Sequence, residues 1–139
     1  STSRPSSTGF SVWWDADLNR ELLGSNKIDK WDYINSKSIN LLTAPDYSSN
    51  RSAPCLSADL FGDWREEIIA RTKDSKELRI FTTTIPTEKK FYTLMQDPQY
   101  RLSIVWQNVA YNQPPHTSFF MGKDMPQPSK PNIVVMKKR

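Results

Sequence analysis

Apolar residues in this chain come in short runs, each closed off by Ser, Asn, Asp or Pro, which is the punctuation of short strands joined by turns. Runs at 10–14, 21–23, 27–31 and 34–42 predict four strands in meander order. Residues 44–54 then form a polar loop between Pro45 and Pro54, the kind of surface segment that often carries function. The stretch 57–69 concentrates acidic residues and closes on Ile68 and Ile69, so it predicts an acidic loop feeding a strand. After a polar turn at 72–77, residues 78–84 alternate with β-branched side chains as a strand does, and Pro86 stops them. Residues 91–95 add a short apolar segment. Asp97 and Pro98 form the pair expected at a helix N-cap and first position, whereas Leu102, Ile104 and Trp106 alternate as in a strand; the balance predicts a short helix over 100–109. From Gly122 the tail carries Pro126, Pro128 and Pro131 and is expected to run irregularly.

The acidic stretch has a second copy. Residues 13–23 overlay 59–69 with an offset of 46 residues, matching Asp17 to Asp63, Glu21 to Glu67 and the closing apolar pair to the closing apolar pair. A period of about 40–50 residues built from short strands is that of a β-propeller blade. Asp59, Asp63 and Glu67 stand at positions 1, 5 and 9 of a short loop, with Gly62 at its sharp turn, and hard cations seek such oxygen density. In the first copy Trp13 replaces the acid at position 1, Asp15 supplies position 3 and Ala16 takes the place of the turn glycine. Calcium is therefore expected at Asp59, Asp63 and Glu67, with a weaker site or none at Asp15, Asp17 and Glu21. The plainer alternative is a pair of acidic turns that cap strands.

At 139 residues the chain bounds one modest core, and at 46 residues a blade it holds about three, fewer than the four or more of a closed ring. An all-β segment of a larger propeller is the expected fold class. Residues 1–9 read as a linker or the end of a preceding loop, 10–132 as a propeller segment of two to three blades, and 133–139 as a basic tail. The net charge of +4 suits an acidic partner, yet it marks no basic stripe of the kind that binds nucleic acid. No run resembles a signal peptide or a membrane span. Cys55 is the one cysteine, which excludes an internal disulfide and a cysteine-rich metal site. His116, the one histidine, reads as a surface imidazole or a catalytic group. Trp64 and Trp106 are expected in the core, and Tyr111 is a further ring that could stack on a sugar face.

Four strings then become informative together: FSVWWDADLNRE at 10–21, SADLFGDWREE at 57–67, LRIFTTTIPT at 78–87 and YTLMQDPQYRLSIVWQNVAYNQPP at 92–115. They resemble, in the same order, the C-terminal part of the rhamnogalacturonan lyases of polysaccharide lyase family 11. The resemblance implies the last blades of an eight-bladed propeller, calcium in blade loops, and eliminative cleavage of the rhamnose-galacturonate backbone of pectin (rhamnogalacturonan I) outside the cell or in the periplasm. It also implies a catalytic lysine in the loop before the second acidic string, where the family reads like NNGTKSTP. Here that position is Arg51, within residues 48–54. An arginine stays protonated, so Arg51 suits neutralising a carboxylate and not accepting a proton. Asn50, Asn108 and Ala110 carry over as sugar contacts, with Asn112 and His116 beside them. The alternative implied by Arg51 is an inactive, calcium-stabilised pectin-binding or structural segment.

Overall fold

In the computed structural model, the described residues are 4–5, 8–49, 53–132 and 134–136. They form two small antiparallel sheets and one helix. The first sheet is a sequential four-strand meander of β1 (Phe10–Val12), β2 (Glu21–Gly24), β3 (Lys27–Asp32) and β4 (Lys37–Thr43). The second is a three-strand meander of β5 (Leu56–Ala58), β6 (Glu67–Arg71) and β7 (Leu78–Phe81). A 3-10 turn at Leu94–Gln96 leads into α1 (Pro98–Val109).

The sequence repeat is a structural repeat down to the register. Phe10, Ser11 and Val12 pair with Leu23, Leu22 and Glu21, and Leu56, Ser57 and Ala58 pair with Ile69, Ile68 and Glu67 in the same order. The copies part after the second strand. Leu22 pairs with Asp29, but Ile68 pairs with Phe81, because the hairpin through 72–77 is longer than the one at Ser25 and Asn26.

Alternation along the strands sorts side chains to opposite faces. Phe10, Val12, Leu23 and Ile28 from the first sheet meet Ile68 and Ala70 from the second in one core, closed by Trp14, Ala44 and Tyr47. Trp13 points the other way and joins Leu18, Trp64, Leu94 and Tyr100 in a second cluster. Adjacent tryptophans thus serve two cores, and burying each ring contributes on the order of 2–3 kcal/mol.

The helix forms where Asp97 and Pro98 begin it. Asp97 accepts from the Gln99 N–H, and also from the N–H and hydroxyl of Ser118. The face it buries is polar: Tyr100, Ser103 and Gln107 turn inward, while Leu102, Val105 and Val109 are exposed. The reason lies in the open edge of β5. Gln107 donates to the Ser57 carbonyl and accepts from the Ser57 N–H, both at 2.8 Å, and the Tyr100 hydroxyl accepts from Asp59 N–H at 3.0 Å. The side chains of α1 satisfy a strand edge that would otherwise be unpaired. The all-β expectation is therefore corrected: the chain is mostly β, with residues 98–109 helical. No helix among the described residues is long and apolar enough to cross a membrane.

Candidate functional site

Two acidic loops and one cleft carry the candidate chemistry. The loops connect β1 to β2 and β5 to β6. In each, the glutamate that opens the second strand folds back and accepts from two loop N–H groups. Glu21 takes those of Trp14 (3.0 Å) and Asp15 (3.4 Å), and Glu67 takes those of Leu60 (2.8 Å) and Phe61 (3.1 Å). In each, the central aspartate accepts from the N–H two residues on, Asn19 for Asp17 at 2.7 Å and Arg65 for Asp63 at 3.1 Å. These bonds shape both turns.

Beyond that scaffold the loops diverge. Among the described residues, Asp15, Asp17 and Glu21 bring carboxylate oxygens within 4.8 Å of one another, close enough to hold a metal ion. Asp59, Asp63 and Glu67, the residues expected from sequence to be the stronger site, do not form such a group among the described residues. Asp59 points to the helix, where its Oδ2 accepts from Leu94 N–H (2.7 Å) and the Thr93 hydroxyl (2.9 Å). Glu67 also accepts from Thr82 at 3.0 Å, and Asp63 pairs with Arg65.

Oxygen-only donors in the first cluster fit a hard cation chemically, yet a cation is already there. The Lys30 ammonium, reaching across from β3, bonds Asp15, lies 2.6 Å from Asp17 and stands 3.6 Å from Glu21 Oε1. Burial opposes the ammonium's charge, but the bonds to Asp15 and Asp17 outweigh it and raise the Lys30 pKa; Asp17, against the same burial, is lowered. Glu21 receives least from Lys30, and burial together with the Asp15 charge pushes its pKa up to about 7. Burial likewise raises Asp59 and Glu67.

Arg20 and Glu66, equivalent positions of the two copies, pair with each other at 3.1 Å. Glu66 is fully buried and also accepts from Trp13 N–H (3.0 Å) and the Tyr100 hydroxyl (2.8 Å). Its pKa is raised by burial, with Arg20 opposing. Arg20 lies over the Trp13 ring at 3.6 Å and donates to the Pro115 carbonyl, so one guanidinium joins both loops to the segment after α1.

That segment carries the predicted sugar contacts. Asn108, Ala110 and His116 are exposed, and Asn112 is half-buried with its amide donating to the Pro54 carbonyl at 2.7 Å. Ala110 and Tyr111 separate two depressions. One of about 540 Å³ is lined by Gly9, Ala53, Gln107 and Asn112, and one of about 600 Å³ by Arg20, Trp106, Pro114, Pro115 and His116. His116 packs on Trp106 with centroids 5.3 Å apart, and Tyr111 is 84% exposed. Trp64 is buried, as expected for a core ring, and its indole donates to the Lys89 carbonyl. Asn50 and Arg51 lie outside the described residues; the Asn112 bond nonetheless brings the segment after α1 against Pro54, at the end of their loop. Sequence reasoning missed Lys30 and Arg20, whose partners lie on other elements.

The fold and these loops do not by themselves name an activity; comparison gives the family. Residues 1–131 match the model of the rhamnogalacturonan lyase family 11 C-terminal domain, and the chain belongs to that family. It is 62% identical over 132 residues to the rhamnogalacturonan endolyase YesW of Bacillus subtilis, a match covering 93% of this chain and 21% of YesW. To the rhamnogalacturonan exolyase YesX of the same organism it is 51% identical over 146 residues, covering 97% of this chain and 24% of YesX. The crystal structure of YesW superposes with a TM-score of 0.89 at 60% identity over 96% of this chain and 23% of that one. A Bacillus licheniformis rhamnogalacturonan lyase gives 0.89 at 60% identity over 94% of this chain and 23% of its own. The chain thus spans about a quarter or less of the length of these relatives.

Proposed function

We propose that this chain is part of a rhamnogalacturonan lyase that cleaves the backbone of rhamnogalacturonan I by β-elimination. The observation that carries the reading is the 62% identity to an endolyase across 93% of the chain. In elimination a base takes the proton from C5 of the galacturonate, the electron pair forms the C4–C5 double bond, and the bond from C4 to the leaving oxygen breaks as that oxygen takes a proton from an acid or water. The C5 proton is weakly acidic until the neighbouring carboxylate is neutralised, so a fixed cation must face that carboxylate. Arg51 takes this role, and a group elsewhere in the protein takes the proton. Asn108, Ala110, Asn112 and His116 line the sugar path, with Tyr111 offering an exposed ring to a sugar face, and Asn50 is a further sugar contact by the family resemblance.

The fold supports a propeller setting. Two meanders in the same register at a 46-residue offset, sharing one core, are what adjacent blades would present. The family resemblance brings calcium into this reading, and a polymeric substrate too large to be taken up intact fits a protein outside the cell or in the periplasm.

The test uses the full-length protein on rhamnogalacturonan I, following the ultraviolet absorbance of the unsaturated uronate. Arg51→Ala is expected to weaken both binding and rate, and Arg51→Lys to keep binding and retain or raise turnover. Binding without any rise in absorbance would replace the lyase reading with that of a binding segment. Loss of a robust activity in Arg51→Lys would show that the bidentate guanidinium is itself required.

A further inference from the structure

We infer that the acidic loops of this chain are closed by its own side-chain cations, and that Lys30 is a resident counter-ion holding the place a divalent metal would take in the first loop. Three observations converge. Lys30 Nζ stands among all three carboxylates, bonded to Asp15 and Asp17 and 3.6 Å from Glu21. An ammonium has three hydrogens in a compact head, so it meets carboxylate oxygens at nearly the separations a bound cation imposes. Second, the ammonium leaves one acceptor unserved: it bonds two of the three acidic side chains, and buried Glu21 Oε1 has no hydrogen-bond partner while aimed into the cluster. Third, the second copy solves the same problem with another cation of its own. Arg65 pairs with Asp63 and donates to the Ile85 carbonyl, while Glu67 and Asp59 Oδ2 turn to N–H and hydroxyl donors, leaving buried Asp59 Oδ1 without a partner.

The proposal concerns these two loops only and is independent of the lyase reading. It makes the first loop convertible: with the ammonium removed, Asp15, Asp17 and Glu21 become an oxygen cage for a hard cation. Lys30→Met opens it while keeping the length of the aliphatic stem. Trp13 and Trp14 directly precede Asp15, so their indoles can sensitise terbium(III) held there.

The experiment takes the full-length protein with no substitution, with Asp17→Asn, with Lys30→Met and with both. The Asp17→Asn loss in Tm is expected to be equal in calcium and in chelator, because it breaks a side-chain ion pair and not a metal site. Lys30→Met is expected to gain several-fold in tryptophan-sensitised terbium luminescence and to regain Tm on adding calcium, and Asp17→Asn in the same chain should abolish both gains. A larger Asp17→Asn loss in calcium than in chelator would overturn the inference, as would a Lys30→Met protein that folds and takes up no additional terbium. Should Lys30→Met not fold, the Asp17→Asn comparison decides alone.

Discussion

The loop between β1 and β2 and the loop between β5 and β6 share a frame and differ in almost everything hung on it. Both are pinned by a strand-opening glutamate that accepts two loop N–H groups, and both carry an aspartate that accepts from the residue two further on. The first then gathers its acids around Lys30. The second spreads them, and its turn passes through the left-handed region at Gly62 (φ 78°), where glycine is at ease, and at Trp64 (φ 72°), where a side chain is not. A left-handed tryptophan costs on the order of 1 kcal/mol, offset here by burial of its indole in the second core. The lesson is that the glutamate specifies the turn, whereas the acids ahead of it are free to take whatever counter-ion each copy provides.

The largest effect should come from breaking the link between the copies. Arg20→Ala leaves Glu66 buried with its charge uncompensated and releases Pro115, and should destabilise by about 3 kcal/mol. Adding Glu66→Gln should return part of that loss in thermal melts. Additive effects of the two changes would mean that the loops are not coupled through this pair.

Removing the shared pin comes next. Glu21→Ala and Glu67→Ala each orphan two N–H groups, and each should cost roughly 2 kcal/mol by chemical denaturation. A large loss at one position and none at the other would break the comparison at its root.

A smaller signature lies in pH. Glu21 holds its proton in the folded chain up to about 7, above its ordinary value of 4.5. Between those values the folded state binds more protons than the unfolded state, so stability should fall as pH rises through the window and level off above it. Glu21→Gln should reduce this slope in Tm measured against pH, leaving the part that Asp59, Glu66 and Glu67, also raised by burial, contribute. An unchanged slope would assign the effect to another group.

The smallest change expected is at the second loop. Asp63→Asn weakens a partly exposed pair with Arg65 and should cost about 0.5 kcal/mol, the same in calcium and in chelator.

Much of this frame was legible in the chain. The four strands of the meander, the 46-residue repeat, the turn at Gly62 and the Asp97–Pro98 helix start follow from local pattern, because period, turn chemistry and capping are local physics. Three things were not. The helix hid its inward face, since Tyr100, Ser103 and Gln107 are polar residues whose reason for burial is the edge of β5. The first loop's cation sits on β3, and no spacing rule connects Lys30 to Asp15 or Asp17. Asp59 reads by position as one of three metal ligands with Asp63 and Glu67, yet the Thr93 hydroxyl and Leu94 N–H, at the start of the 3-10 turn, are the donors its Oδ2 meets.

The most direct test of the account is anomalous scattering at a wavelength sensitive to calcium, from crystals of the full-length protein grown in calcium. The account predicts no anomalous peak among Asp15, Asp17 and Glu21 or among Asp59, Asp63 and Glu67, with continuous Lys30 density between the carboxylates of the first loop. A peak at the first cluster with Lys30 swung away would contradict it.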